Sequence, residues 1–143
     1  MSAASIAAAL GGPAILNTAA SSEFELAAAA MAGFSAAAAS RIVANGFLSP
    51  DELYQLVIPR RTFDRRLEQG QPLTVTESDR LLRVTRVIVR AIEALGSSDK
   101  AATWLRTANR ALRGTTPLTL LETDMGARMV ERALGRIEHG VYS

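Results

Sequence analysis

The chemistry this sequence offers is concentrated in two arginine pairs, Arg60-Arg61 and Arg65-Arg66, inside the run L-V-I-P-R-R-T-F-D-R-R-L. A guanidinium is planar, permanently charged and carries its N–H donors in a fork that matches a phosphate or the O6/N7 edge of guanine. On a short helix, Arg60, Arg61, Thr62, Arg65 and Arg66 would project from the first turn and the outer face. They are candidates for phosphate and base-edge contacts in nucleic acid. This is the chemistry of recognition, with nothing in the run that makes or breaks a bond.

Catalytic arrangements are missing elsewhere. His139 is the only histidine, and it lies beside Gly140 at the end of a helical pattern. There a cation complements the helix dipole or meets a partner. One histidine without cysteine or a carboxylate cluster makes no metal-ligand set. The serines lack a plausible triad and a G-x-S-x-G elbow. The glycines fit neither a phosphate loop nor a dinucleotide fingerprint, so no catalytic residue, metal or cofactor is expected.

The arginines need a scaffold, and the flanking residues specify one. Ser49-Pro50-Asp51-Glu52 combines a capping serine, a proline at the first helical position and a glutamate three residues after the cap. It predicts a helix over 50–57. A break at Ile58-Pro59 separates it from a second short helix, 60–69, ended by Gly70. Two short helices across a tight turn are the grammar of a helix-turn-helix. Leu53, Leu56, Ile58, Phe63 and Leu67 are expected to lock the pair together, and Val57 stands where many such turns carry glycine.

Thr76-Glu77-Ser78-Asp79 then opens the longest predicted helix, running to about Leu95. Leu81, Val84, Ile88, Ile92 and Leu95 share one face of it, while Arg80, Arg83, Arg86 and Arg90 share another that reads as solvent-exposed. If the apolar stripe pairs two chains, Ile88 lies at its centre. Before the arginine helices, residues 1–22 mix Ala and Ser with Gly11, Gly12 and Pro13 and read as a mobile or partly helical tail. Two packing helices follow, one from Glu23 to Gly33 and one over 35–44 closed by Asn45-Gly46.

Beyond Gly96-Ser97-Ser98, the best internal boundary, a capped helix over 99–106 carries the only tryptophan, Trp104. Residues 109–116 read as a polar loop, Pro117 to Leu121 as one apolar turn, and Thr123 as the cap of a last helix. Met129, Val130, Ala133, Leu134 and Ile137 form its buried stripe. Gly126 and Gly135 within that helix each cost about 1 kcal/mol relative to alanine. Close approach of another backbone would justify them. This gives three segments: a tail (1–22), a helix-turn-helix and dimerisation segment (23–96) and a C-terminal module (97–143).

Composition supports an all-α reading: 48% of the 143 residues are hydrophobic, only 5% are aromatic, and Ala, Leu and Arg abound. Of the 16 basic residues only Lys100 is a lysine, and none precedes Arg41. The absence of cysteine suits a reducing cytoplasm. The apolar run from Ala27 to Ala39 is too short to span a bilayer, and the Ala-rich start lacks the charged region of a signal peptide. No membrane association is expected.

The run R-R-T-F-D-R-R-L, the E-S-D-R-L-L-R helix and, above all, W-L-R-T-A-N-R-A-L-R-G-T-T-P-L-T-L-L-E-T-D-M-G and L-G-R-I-E-H-G-V-Y-S resemble the Xre/MbcA/ParS antitoxins, the partners of RES-domain toxins. The resemblance covers residues 33–143. It implies an all-α chain with an N-terminal helix-turn-helix of Xre/Cro type, binding its own promoter, followed by a small helical toxin-binding domain. That domain would cover the active site of an enzyme that consumes NAD. The antitoxin itself would be a homodimer without catalytic activity or small-molecule substrate. The toxin-binding candidates are then Trp104, Pro117, Leu118, Arg136, His139, Gly140, Val141, Tyr142 and Ser143, with Arg136, His139 and Tyr142 nearest the NAD pocket. Two other classes fit the residues: a stand-alone helix-turn-helix regulator whose C-terminal helices only dimerise, and a structural adaptor that never meets nucleic acid.

Overall fold

A computed structural model describes residues 3–18 and 20–140. Every regular element among them is helical, and the chain divides into two compact units, the first ending at Thr85 and the second starting at Arg86. The division falls within one long helix, earlier in the chain than the Gly96-Ser97-Ser98 turn.

The first unit contains α1 (Ala3–Ala9), α2 (Pro13–Leu16), α3 (Glu23–Ala32), α4 (Ala36–Ala44), α5 (Pro50–Leu56), α6 (Arg60–Gln69) and the first half of α7 (Val75–Leu95). Short polar caps start α3, α4 and α5. Ser22 Oγ accepts from the Glu25 N–H, and Ser35 Oγ from that of Ala37. At α5 the predicted capping box is complete: Ser49 Oγ accepts from the Glu52 N–H at 3.2 Å, and Glu52 Oε1 accepts from the Ser49 N–H at 2.8 Å.

The sequence places the start of α7 at Thr76, but the structure starts it earlier. Thr74 Oγ1 accepts from the Glu77 N–H and Glu77 Oε1 accepts from the Thr74 N–H, a second reciprocal box. Thr74 and Glu77 together satisfy two otherwise orphaned donors, which Thr76 with Asp79 does not. The unit's core holds Phe34, Ile42, Leu48, Leu53, Ile58, Leu73 and Leu81, all buried.

Residues 3–18 take the partly helical of the two forms expected of them, and they are packed. Ile6 and Leu10 lie one helical turn apart and are buried with Leu16 and Ala20, and Asn45 Nδ2 donates to the Ala9 carbonyl at 3.1 Å. Four apolar side chains withdrawn from water, at about 1.5–3 kcal/mol for each large one, suffice to fix two short helices that propensity alone would leave frayed.

The second unit continues α7 and adds α8 (Ser98–Leu105), a single 3-10 turn (Arg110–Leu112), α9 (Pro117–Leu120) and α10 (Asp124–Glu138). Ser97 caps α8, Thr116 caps α9 and Thr123 caps α10. The polar stretch 109–116 is more ordered than a loop. Asn109 pairs with Thr115 across it, Asn109 Oδ1 accepts from the Ala111 N–H, and Leu112 is buried as its anchor. Leu105, Leu121, Ala127, Val130 and Leu134 complete this core, while Met129 and Ile137 lie half-buried at the edge of the predicted stripe.

The first three residues of the apolar stripe of α7 are spent on these two cores, and Ile92 and Leu95 are half-buried. Leu81 and Val84 are buried in the first unit and Ile88 in the second, so Ile88 has no free surface with which to pair chains.

Candidate nucleic-acid and partner interfaces

α5 and α6 are joined through Val57, Ile58 and Pro59, and the joint is apolar on the inside: Leu53, Leu56, Val57, Ile58 and Phe63 are all buried. Leu67 departs from the expected lock, being 44% exposed. Val57 takes φ −119° and ψ −58°, a conformation open to any L-residue. Glycine is therefore unnecessary in this turn, and valine contributes its side chain to the core instead.

The turn presents α6 with Arg60, Arg61 and Arg65 exposed and Thr62 half-buried. Arg60 Nε stands 3.9 Å from Asp64 Oδ2, with the arginine side chain 75% exposed. Such a pair contributes about 0–1 kcal/mol and yields readily to a phosphate. Arg66 is placed differently. Its Nε donates to Glu77 Oε1 at 3.1 Å and its second terminal nitrogen to Glu77 Oε2 at 3.2 Å, with the two side chains only 16% and 12% exposed. Burial pushes the Glu77 carboxyl up, but hydrogen bonds from Arg66 and the Thr74 N–H, with the arginine charge, outweigh it and hold the group below its ordinary value. Sequence reading grouped Arg66 with its neighbours and missed Glu77. The T-x-x-E spacing of Thr74 and Glu77 was the signal available.

In the second unit the proposed partner residues separate into three sets. Pro117 and Leu118 are buried in its core, so their apolar surface serves folding. Trp104 and Arg136 are half-buried, and His139 and Gly140 are exposed at the end of α10. Val141, Tyr142 and Ser143 lie outside the described residues. Arg90, Glu131, Arg132, Gly135, Arg136 and His139 line an open groove of about 440 Å³.

The arginines of α7 also depart from expectation. Arg80 is exposed, but Arg83, Arg86 and Arg90 are half-buried. Arg86 donates to Glu131 Oε1 at 2.7 Å, and Arg90 donates through Nε to Glu138 Oε1 at 3.1 Å while a second nitrogen lies 3.7 Å from Glu131 Oε2. The acids of α10, an apolar helix's outer row in the sequence, recruit what reads as a solvent face.

Gly126 and Gly135 have separate reasons. A Cβ on Gly126 would collide with the carbonyl oxygen of Leu120, so the end of α9 can approach α10 only over a bare Cα. A Cβ on Gly135 would meet one nitrogen of Arg90 at 3.2 Å. Gly126 answers to this chain's own packing, whereas at Gly135 the neighbour is the end of one flexible side chain.

Comparison with known proteins maps onto this layout. Residues 25–86 match the Antitoxin Xre-like helix-turn-helix domain, and residues 90–140 match the Antitoxin Xre/MbcA/ParS C-terminal toxin-binding domain. The chain is 38% identical over 119 residues to an Antitoxin Xre of Pseudomonas putida, an alignment that covers 83% of this chain and 74% of that one. The chain belongs to the Xre antitoxin family. An Antitoxin Xre of Yersinia enterocolitica is 40% identical over 87 residues, covering 60% of this chain and 59% of its own. A protein of a Sphingobium species, named Prs ADP-ribosylating antitoxin, is 30% identical over 91 residues, covering 57% of each.

This Xre-family chain thus carries a helix-turn-helix domain, with α5 and α6 inside it, and a toxin-binding domain that includes the α10 groove. Residues 3–18 precede both matched segments, so the α1–α2 cover is an addition to the matched helix-turn-helix. No single helix among the described residues is long and apolar enough to cross a membrane.

Proposed function

We propose that this Xre-family antitoxin silences a RES-domain toxin that consumes NAD, by laying the end of α10 and the residues after it over the toxin's active site. It acts in the cytoplasm, as a homodimer and without catalysis of its own. Through α6 it binds its own promoter as a repressor, with Arg60, Arg61 and Arg65 on phosphates and guanine edges and Thr62 beside them. The observation that carries the reading is the coincidence of the toxin-binding match with an α10 end whose Arg136, His139 and Gly140 are accessible, next to a groove rimmed by Arg132. Steric occlusion requires only a tight interface with a few well-placed anchors, and large aromatics such as Tyr142 and Trp104 suit that role.

Ending the chain at Glu138 tests this, because it leaves α10 and its ion pairs whole. The shortened antitoxin is expected to bind promoter DNA with unchanged affinity and to lose protection of cells expressing the cognate toxin, measured as colony survival. Full protection would move the neutralising surface away from the end of α10. No protection by the intact chain would leave the stand-alone regulator as the better account.

A further inference from the structure

α3 is apolar on two opposite faces, and the first unit covers one of them. Leu26 and Ala30 are buried, whereas Phe24 is 81% and Met31 73% exposed, with Ala27 and Ala28 exposed between them. At helical spacing these last four form one stripe. Scattered apolar residues on a surface need no explanation, but two large ones joined by a continuous apolar row mark an interaction site. A helix that is hydrophobic all round belongs inside something.

We propose that the something is a second copy of this chain, with α3 packed antiparallel on the second copy's α3. The stripe reads large, small, small, large, a pattern that is its own complement under a two-fold rotation. That rotation seats Phe24 on the second copy's Met31 and Met31 on its Phe24, two contacts of sulfur with an aromatic ring. Ala27 and Ala28 meet near the axis, where small side chains let helices approach to about 8 Å.

Charge selects the antiparallel direction. The acids of α3, Glu23 and Glu25, both lie in its first turn. Parallel pairing would set them side by side and align two helix dipoles, while antiparallel pairing holds them at opposite ends. Charge also argues against a nucleic-acid occupant: no basic residue precedes Arg41 in the sequence, so α3 offers phosphates nothing.

The inference rests on the dimeric reading above and names its surface. Sedimentation of the full chain across a concentration series, alone and as the Phe24→Glu, Met31→Glu double variant, tests it. The intact chain is expected to dimerise and the variant to sediment as a monomer with unchanged helical circular dichroism, since both side chains are exposed. The chain has no cysteine, which permits a second readout. Under mild oxidation Ala27→Cys or Ala28→Cys alone should give a linked dimer. Phe24→Cys should link to Met31→Cys when the two are mixed, but not to itself. A variant that stays dimeric overturns this surface while leaving the dimeric reading intact. An intact chain that is monomeric throughout overturns both, and self-linkage at Phe24→Cys overturns the antiparallel arrangement.

Discussion

On α6, Arg60, Arg61 and Arg65 stand in the open, with nothing firmer than the 3.9 Å pair of Arg60 and Asp64 among them. On the second half of α7, Arg86 and Arg90 are half-buried and tied to Glu131 and Glu138 at 2.7 and 3.1 Å. The same residue type, in runs of similar density, is left open to solvent in one unit and joins two helices in the other. What separates the cases is the supply of acid from the neighbouring helix. α10 brings Glu131 and Glu138 to α7, and among the described residues the outer face of α6 meets no element that does the same. An arginine cluster that the fold leaves unpaired keeps its charge available to an anionic partner, and that availability is what the proposed promoter contact needs.

The largest effect should come from stripping the open set. Replacing Arg60, Arg61 and Arg65 with alanine is expected to weaken promoter binding about a hundredfold or more, at about 1–3 kcal/mol for each guanidinium taken off a base edge. The slope of log affinity against log salt should shrink by roughly 0.9 for each phosphate released. Thermal stability should change by less than about 0.5 kcal/mol, because the side chains are exposed. An unchanged salt slope in a mobility-shift titration would merge the two classes of arginine.

Glu131→Ala probes the paired set from the other side. It leaves Arg86 without its carboxylate and Arg90 with one fewer, in positions 32% and 28% exposed. Removing one partner of a fully buried pair costs about 3–5 kcal/mol, and partial exposure reduces this to about 2 kcal/mol. The expected signature is a melting temperature lowered by about 4–8 °C in calorimetry. Wild-type melting would mean that these arginines are as free as those of α6.

Arg66 sits on α6 but belongs with the paired class, and its variants show where the boundary runs. Arg66→Ala and Glu77→Gln should each cost about 1–2 kcal/mol of stability. They should weaken promoter binding only by loosening α6, leaving the salt slope as it is in the intact chain. The pair also gives a pH signature. Glu77 is held below its ordinary value in the fold, so its stabilisation is complete above the ordinary glutamate range and is lost as pH falls through the lowered value. Glu77→Gln should flatten acid unfolding across that window, and a slope identical to that of the intact chain would dissociate Glu77 from Arg66.

Most of the helices were legible because their signals are local. Ser49 with Glu52, Gly70 after Gln69 and Thr123 before Asp124 mark helix ends from a few residues, and each is where the structure has it. The departures were decided by groups far apart in sequence. Arg86 finds its acid in Glu131, and Ile6 and Leu10 find cover that lies beyond α1 itself. Leu67 stayed exposed although it was expected to help lock α5 to α6. Pro117 and Leu118 illustrate the same limit at the candidate site. Their apolar character suited a partner, and the unit's own core took them first.

The smallest expected effect asks whether the paired arginines also face the toxin. Gly135 lies on the floor of the α10 groove beside Arg90. Gly135→Ala gains about 1 kcal/mol of helix propensity. Against this, the new methyl must displace the end of the Arg90 side chain by a few tenths of an ångström from its 3.2 Å approach. That end is flexible but held by Glu131 and Glu138, so the two effects should nearly cancel and stability should stay within about 0.5 kcal/mol of the intact chain. Binding to the toxin then reads the groove alone. If the groove holds a toxin side chain, a methyl on its floor weakens the complex several-fold in a competition assay while melting is unchanged. If affinity is also unchanged, Arg90 and Glu131 serve the fold only, and the second unit meets its partner through the exposed end of α10.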